Sequence, residues 1–105
     1  MRWITPRELN SLLSSETPCL VVDIRETYET KICQIPSLHI PMAEIAERYM
    51  EIPKDKSIVI MCKTGKRAEA TANLMECELG FSDLYILEGG ILGWIAEIDS
   101  QLEVY

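Results

Sequence analysis

The sequence predicts an α/β domain in which helices cover both faces of a mainly parallel sheet. Short, continuous apolar segments recur along the chain, and segments rich in helix-forming residues separate them. Continuous apolar segments are typical of strands buried on both faces of a parallel sheet, and parallel strands need a crossover connection such as a helix. In folds of this class ligands bind at the carboxyl ends of the strands.

The N-terminal part of the chain is predicted to form a helix and then a buried strand. Thr5 is the expected N-cap of the helix, with Pro6 in its first position and Glu8 closing a capping box. Residues 19–22 form a continuous apolar segment that ends at Asp23, which predicts a strand of the parallel sheet. Three leucines of the helix are expected to face the core: Leu9, Leu12 and Leu13.

Three shorter elements are predicted before the middle of the chain. Residues 26–31 can form a short helix and residues 38–40 a short strand. Residues 42–50 are predicted to form an amphipathic helix, because Ile45 and Tyr49 are spaced so that they lie on one helical face.

The strongest strand and the strongest helix of the sequence lie in its second half. Residues 57–61 predict a buried strand, and residues 68–79, rich in Ala, Glu, Leu and Met, predict a helix followed by a terminating glycine. A strand at residues 84–87 and a helix at residues 91–98 continue the alternation. The loop at residues 62–67 therefore lies at the carboxyl end of a strand, where ligands collect.

Length and charge restrict the possible functions. The chain has 105 residues and 48% hydrophobic side chains, so residues 1–105 are expected to form one domain with its own core. Its net charge of −7 disfavours binding to nucleic acid or to anionic membranes. The basic residues are scattered except for Lys63, Lys66 and Arg67, which put positive charge around the thiol of Cys62.

The cysteines and the single histidine do not form a metal-binding pattern. Cys19, Cys33, Cys62 and Cys77 include no Cys-x-x-Cys pair, and His39 has no partners in a ligand cluster, so no metal site is predicted. The sequence also contains no secretory signal and no long apolar segment. We therefore expect reduced thiols and a cytoplasmic location.

The loop that begins at Cys62 has the composition of an anion site. A tight turn from a strand into a helix points successive backbone N–H groups at one place, and the helix adds about half a positive charge there. Gly65 allows the backbone to approach closely, and Thr64 can donate a hydrogen bond. The predicted site comprises Cys62 as the nucleophile and a surrounding cradle of Lys63, Thr64, Gly65, Lys66 and Arg67.

A cysteine in this environment can carry sulfur. The helix N-terminus and the nearby cations favour the thiolate, which is the nucleophilic form. Cys62 can then attack a donor sulfur, hold it as a persulfide and release it to a nucleophilic acceptor, which divides one transfer into two steps. This chemistry requires neither a metal nor an organic cofactor.

Structural interpretations of the same residues compete with this one. Cys62 could be an inert apolar residue at a strand end, with lysines that only solvate the loop. Cys19, Cys33 and Cys77 are interpreted as structural, as is His39, although pairing His39 with Cys62 would give another kind of nucleophile. Packing roles are favoured for three further residues: Gly89, Gly90 and Trp94.

With these residues in this order, the chain resembles the rhodanese-like family over nearly its whole length. The matching segments are Val22-Asp23-Ile24-Arg25-Glu26, Ile35-Pro36, Ile58 to Arg67 with its Cys-x-x-Gly-x-Arg loop, Leu87-Glu88-Gly89-Gly90-Ile91, and Trp94. The resemblance implies a three-layer sandwich with a sheet of about five strands. It also implies sulfurtransferase activity, with Cys62 as the catalytic cysteine and residues 63–67 around its persulfide. In place of the family's usual Gly-His-Ile-Pro-Gly-Ala, the chain has Cys33-Gln34-Ile35-Pro36-Ser37-Leu38, which weakens any role for a histidine there.

Other segments are similar to the rhodanese domain at the C-terminus of E1-like sulfur-carrier adenylyltransferases. They are Ser37-Leu38-His39-Ile40-Pro41, Cys62-Lys63-Thr64-Gly65, and the ending from Trp94-Ile95 to Glu103-Val104-Tyr105. This similarity implies that Cys62 passes sulfur to the adenylated C-terminus of a ubiquitin-like sulfur-carrier protein, giving the thiocarboxylate used for molybdopterin or thiamine synthesis. Thiosulfate or a cysteine desulfurase would be the donor. Domain sequence follows Met1 at once, which fits a domain excised from a larger protein and equally a small standalone sulfurtransferase.

Two alternative functions compete with sulfur transfer. A phosphatase or arsenate reductase of the Cys-x5-Arg type needs a longer loop, whereas only four residues separate Cys62 from Arg67. A rhodanese-like fold can also serve as a non-catalytic protein-binding module whose loop cysteine has no turnover. The retained Cys62 and its basic loop favour catalysis over binding alone.

Overall fold

A five-stranded sheet forms the centre of the computed structural model, which describes residues 1–105. The strands are β1 (Arg2–Ile4), β2 (Cys19–Asp23), β3 (Leu38–His39), β4 (Ser57–Met61) and β5 (Leu84–Leu87). The helices are α1 (Pro6–Leu13), α2 (Thr27–Thr30), α3 (Ile45–Arg48), α4 (Lys66–Glu78) and α5 (Gly90–Glu97). The strand order is β1-β5-β4-β2-β3, and every neighbouring pair is parallel. The predicted α/β class with a parallel sheet is therefore confirmed.

Alternate side chains of the central strands divide the core into two apolar layers. Successive strand residues point to opposite faces of a sheet. One layer packs Val22, Ile58 and Ile60 against α3 and α4, and the other packs Val21 and Val59 against α1 and α5. The helices thus cover both faces of the sheet, which gives the three-layer sandwich that the resemblance implied.

Helix α1 begins with the predicted capping box. The Thr5 hydroxyl oxygen accepts a hydrogen bond from the Glu8 N–H at 3.1 Å, and the Glu8 carboxylate accepts one from the Thr5 N–H at 2.9 Å. Leu9 is fully buried and Leu12 partly buried in the layer shared with α5, but Leu13 is exposed. The prediction for Leu13 was wrong because α1 ends at this residue, and the apolar layer extends only to Leu12.

Strand β1 was not predicted. It pairs with β5 at the edge of the sheet, where Trp3 lies opposite Ile86. Of its three residues only Ile4 is buried. The segment therefore has neither the continuous apolar character nor the clear alternation by which a strand is recognised in a sequence.

The single helix predicted at residues 42–50 is wrong, because the segment forms three short pieces. Two 3-10 turns, Met42–Glu44 and Tyr49–Glu51, flank the one-turn helix α3. Ile45 is buried and Tyr49 packs against the same apolar layer, so the predicted inner face is confirmed. The tighter turns supply partners for the end groups of so short a helix.

The helix predicted at residues 68–79 begins earlier, at Lys66. Lys66 and Arg67, the last two residues of the loop predicted at residues 62–67, therefore belong to the first turn of α4. None of the helices combines the length and the apolarity needed to cross a lipid bilayer.

Candidate active site

Cys62 follows the carboxyl end of β4 directly, as the sequence predicted. The residue is 1% exposed, and its sulfur accepts hydrogen bonds from the backbone N–H groups of Gly65 at 3.0 Å and Ala68 at 3.3 Å. Both donors lie at the start of α4, where N–H groups have no partner within the helix and the helix dipole is positive. The hydrogen-bond donors to this sulfur are thus main-chain groups, with no side-chain donor among them.

Gly65 makes the close approach of the loop possible. It is the N-cap of α4 and has a φ of 112°, a conformation that other residues rarely adopt. A Cβ atom added there would lie 3.4 Å from the ring of Trp3 and 3.6 Å from the carbonyl oxygen of Leu87. The loop is therefore packed against β1 and β5, and the edge strand β1 borders the site.

The start of α5 holds the same loop from another side. The Ile91 N–H donates to the carbonyl oxygen of Cys62 at 2.9 Å, and the Leu92 N–H donates to that of Lys63 at 3.2 Å. Gly90 lies so close that an added Cβ atom would be 2.3 Å from the Lys63 carbonyl oxygen. The carbonyl oxygens of Cys62 and Lys63 thus accept hydrogen bonds from α5. The N–H groups of Gly65 and Ala68 remain available to the Cys62 sulfur.

Arg67 is held by an ion pair with Glu29 of α2. Its Nη1 and Nη2 atoms donate to the two carboxylate oxygens at 2.7 and 2.9 Å. These hydrogen bonds lower the pKa of Glu29 to about 2, although burial acts in the opposite direction. They also raise the pKa of Arg67, although burial acts in the opposite direction. A two-point pair of this kind fixes the orientation of the guanidinium as well as its charge.

The predicted cradle residues differ in their relation to the sulfur. Only backbone N–H groups, those of Gly65 and Ala68, hydrogen-bond to it. The ammonium of Lys63 lies 4.5 Å from the centroid of the Tyr105 ring, and Arg67 is bound to Glu29 as described. The remaining two cradle residues, Thr64 and Lys66, are exposed.

A second arginine, Arg25, is buried and contacts Glu29 and Tyr105. Arg25 is fully buried and pairs with Asp23, with Nη2 donating to a carboxylate oxygen at 2.8 Å. It also donates to the carbonyl oxygens of Glu29 at 3.3 Å and Cys33 at 2.8 Å, and to the Tyr105 hydroxyl at 3.0 Å. Burial opposes its charged form, but the hydrogen bonds with Asp23 and Tyr105 outweigh it and raise the pKa of Arg25. A buried charge with a complete set of partners makes a rigid foundation for the loop.

The residues that were interpreted as structural have structural surroundings. Cys33 is buried beside Arg25, and burial, followed by the charge of Asp83, raises the pKa of Cys19. His39 donates from Nε2 to the backbone carbonyl of Arg25 at 2.7 Å. A donated hydrogen bond to a buried backbone group accounts for His39 without a role at Cys62.

Glu29 and Tyr105 were not predicted as site residues. Glu29 was included only in a predicted short helix, and Tyr105 only in the resemblance of the chain ending. Glu29 binds a partner 38 positions away, and Tyr105 binds Arg25 across 80 positions. No local pattern in a single sequence identifies contacts over such separations.

Replacing Glu29 with glutamine is expected to make the free energy of unfolding less dependent on pH between pH 2 and 5. The pKa of Glu29 is about 2 in the folded chain and about 4.3 in an unfolded one, so its ion pair stabilises the fold fully above about pH 5, and this stabilisation is lost as the pH falls toward 2. The unfolding free energy of the unchanged chain should fall by about 2 kcal/mol more across this window than that of Glu29→Gln. Urea unfolding between pH 2 and 5 measures this difference.

The matched control for this experiment is Glu51→Gln. Glu51 also pairs with an arginine, Arg48, but on the exposed surface. Surface pairs contribute little, so its curve should follow that of the unchanged chain. Parallel curves for the Glu29→Gln variant and the unchanged chain would show that the buried pair does not stabilise the fold.

The sequence of this chain matches the model of one protein family. The model of the Rhodanese-like domain family matches residues 5–97. A probable adenylyltransferase/sulfurtransferase, MoeZ of Mycobacterium tuberculosis, is 37% identical over 106 residues, covering 97% of this chain and 26% of MoeZ. The chain thus spans about a quarter of the length of that relative.

Two further matches have lengths close to that of this chain. A sulfurtransferase of Allochromatium vinosum is 39% identical over 93 residues, which cover 87% of this chain and 85% of that protein. The crystal structure of a rhodanese-related protein from Thermoplasma volcanium superposes with a TM-score of 0.83 at 29% identity, over 93% of this chain and 94% of that one.

Proposed function

Because this chain belongs to the rhodanese-like domain family, we propose that it is a sulfurtransferase in which Cys62 carries the transferred sulfur as a persulfide. The observation that carries this proposal is the pair of backbone N–H groups that donate to the Cys62 sulfur at 3.0 and 3.3 Å. Such donors stabilise the thiolate that the reaction needs. The resemblance to adenylyltransferase/sulfurtransferases is confirmed by the match to MoeZ.

In the first step the Cys62 thiolate attacks the sulfane sulfur of the donor. A sulfur–sulfur bond forms at Sγ, and the bond between that sulfur and the rest of the donor breaks, so the leaving group departs with the electron pair. Thiosulfate would release sulfite, and the persulfide of a cysteine desulfurase would release its cysteine thiolate. In the second step a nucleophilic acceptor attacks the outer sulfur and Cys62 leaves as the thiolate. With an adenylated carboxyl group as the acceptor the roles reverse: the outer sulfur attacks the carbonyl carbon and AMP leaves. Two equivalents of a thiol reductant then cleave the acyl disulfide, which releases the thiocarboxylate and the Cys62 thiol and leaves the reductant as a disulfide.

The loop residues 63–67 are proposed to surround the outer sulfur of the persulfide. Gly65 contributes a backbone N–H and the space for close approach. Lys63 and Arg67 contribute positive charge from positions that Tyr105 and Glu29 fix. Thr64 and Lys66 are exposed and are proposed to meet the donor or the acceptor as it approaches.

The donor and the acceptor are proposed from the charge around the thiol and from the relatives of the chain. Thiosulfate and a cysteine desulfurase are both suitable sulfur donors for a thiol with positive charge around it. The name of the relative MoeZ, an adenylyltransferase/sulfurtransferase, supports an acceptor that is first adenylated. We therefore propose a ubiquitin-like sulfur-carrier protein as the acceptor and an E1-like adenylation domain as a partner, in molybdopterin or thiamine synthesis. A reducing compartment such as the cytoplasm is proposed because Cys62 must cycle through a thiolate, and all four cysteines are free.

Intact-mass measurement after incubation with each donor tests the proposal. We expect one added sulfur atom that a reductant removes, carried by the peptide that contains Cys62. The donor that loads the chain distinguishes thiosulfate from a cysteine desulfurase with cysteine. Addition of sulfur at exposed Cys77 instead of Cys62, or no addition from either donor, would contradict the proposal and favour a non-catalytic binding module.

A further inference from the structure

We propose that Tyr105 is a positioning residue that holds two cations, Lys63 and Arg67, beside the Cys62 sulfur. In assigning those cations to the binding of an anionic donor, this inference rests on the proposed function. No side chain other than Tyr105 contacts Lys63, the Glu29 partner of Arg67 and the buried Arg25 at once. Tyr105 therefore links the two cations, because it contacts Lys63 directly and Arg67 through Glu29.

The hydroxyl of Tyr105 lies between a buried cation and a buried anion. It accepts a hydrogen bond from Nη1 of Arg25 at 3.0 Å and donates one to Oε2 of Glu29 at 2.6 Å. Burial is the main cause that raises the pKa of Tyr105 to about 12; the hydrogen bond with Arg25 lowers it and that with Glu29 raises it. The hydroxyl therefore keeps its proton and remains a donor to Glu29 at neutral pH.

This hydroxyl acts on Arg67 through Glu29. Oε2 of Glu29 accepts from the Tyr105 hydroxyl and also from Nη2 of Arg67, at 2.6 and 2.9 Å. The other oxygen, Oε1, accepts from Arg67 Nη1 and from the Glu26 N–H, so Tyr105 is one of three residues that set the direction of the carboxylate. Loss of the hydroxyl leaves the carboxylate with fewer restraints, and the guanidinium that it orients becomes more mobile.

The ring of Tyr105 acts on the other cation. The Lys63 ammonium lies 4.5 Å from the ring centroid, which is within the range of a cation–π interaction. A lysine on a loop otherwise samples many rotamers and spends little time in one place. The ring therefore limits the positions that the Lys63 charge can take.

Both ends of the loop are restrained in this way. Lys63 follows Cys62 directly, and Arg67 precedes Ala68, whose N–H donates to the sulfur. Tyr105 itself is partly buried in the apolar layer with Leu102, whereas Val104 next to it is exposed. Changes at Tyr105 therefore affect the loop cations with little change to the centre of the core.

Alkylation with two matched reagents tests the inference. Iodoacetate and iodoacetamide attack a thiolate in the same way but differ in charge, so the ratio of their rates at Cys62 reports the local positive potential. Tyr105→Phe removes the hydroxyl and keeps the ring, and Tyr105→Leu removes both. We expect the iodoacetate-to-iodoacetamide ratio at Cys62 to fall about twofold in Tyr105→Phe and about fivefold in Tyr105→Leu, as expected when nearby charges lose fixed positions.

Two controls separate this effect from a loss of stability. Tyr85→Phe also removes a hydroxyl that accepts from an arginine, Arg2. Tyr85 lies within β5 and not at the carboxyl end of the strand, so this variant should leave the ratio at Cys62 unchanged. The ratio at exposed Cys77, read in the same digest, should not change in any variant. A general loosening of the structure would alter both reagents equally and would leave the ratio at Cys62 as it was, which would overturn the inference.

A second measurement requires no reaction at the thiol. Amide hydrogen exchange over residues 63–67 should become faster in Tyr105→Leu while β4 keeps its protection. Unchanged exchange in the loop would overturn the inference. These results are distinct from a failure of the proposed function, because a chain that never accepts sulfur would still show the charge ratio and the exchange pattern.

Interaction between Tyr105 and Lys63 can be measured in a double-mutant cycle. Lys63→Gln removes the cation that the ring holds, so the effect of Tyr105→Leu on the charge ratio should be smaller in that background. Equal effects of Tyr105→Leu with and without Lys63 would show that the ring does not act through this lysine, and would contradict that part of the inference.

Discussion

Replacing Cys62 with serine is expected to abolish sulfur loading and transfer, with a loss of more than about a thousandfold, while the fold is retained. A serine oxygen can accept the same hydrogen bonds from Gly65 and Ala68 and occupies less space than sulfur. It is not ionised at neutral pH and cannot form the sulfur–sulfur bond of a persulfide. Loading by intact mass and transfer to an acceptor measure the loss, and circular dichroism checks the fold.

The control for this variant is Cys77→Ser. Cys77 is exposed on α4 and has no basic loop around it, so its replacement should leave loading and transfer unchanged. Transfer that survives in Cys62→Ser would contradict the proposed mechanism, since no other thiol of the chain accepts two backbone N–H groups.

Replacing Gly90 with alanine is expected to destabilise the fold and to disable the site together. The added methyl group would lie 2.3 Å from the Lys63 carbonyl oxygen and 2.5 Å from that of Cys62, distances at which the backbone must move. These are the loop carbonyls that the start of α5 binds. We expect a loss of about 3–4 kcal/mol in unfolding free energy, from overpacking and from the φ of 60° at Gly90.

Sulfur loading by Gly90→Ala should fall more than about tenfold even where the chain is folded, because displaced loop N–H groups no longer meet at the sulfur. The matched control is Gly80→Ala, since Gly80 also has a left-handed φ, of 79°, but its added methyl would meet only the end of the flexible Lys54 side chain. That variant should lose about 1 kcal/mol and keep its loading rate. Equal losses in the two variants, by urea unfolding and by loading rate, would show that the contact with the loop has no special effect.

The central part of the fold could be predicted from the sequence because its strands are buried on both faces. Residues 57–61 and 84–87 read as continuous apolar segments, and both are strands with the predicted bounds. β1 was missed because an edge strand with one buried residue has no such pattern. The continuous helix at residues 42–50 was predicted from a correct apolar face, but a face alone does not determine whether one turn or two are helical.

The position of the candidate site could be predicted from the sequence, but the partners of its charged residues could not. A cysteine and a glycine between a predicted strand and a predicted helix indicate a candidate anion site, and in the structure two backbone N–H groups donate to the Cys62 sulfur. The partners of the cations were not predictable. Glu29 and Tyr105 reach Arg67 and Lys63 only after the sheet has brought distant segments together, and a local pattern holds no information about this.

The sulfur of Cys62 is contacted by main-chain atoms, whereas Thr64 and Lys66 of the same loop are exposed. Main-chain N–H groups are the same for every residue type except proline. Substitution at these two exposed positions can therefore alter what the rim of the site recognises while the groups that hold the anion stay in place. Under the proposed function, chemistry and recognition would therefore depend on different atoms of this loop, so the donor or acceptor could change without rebuilding the reactive centre.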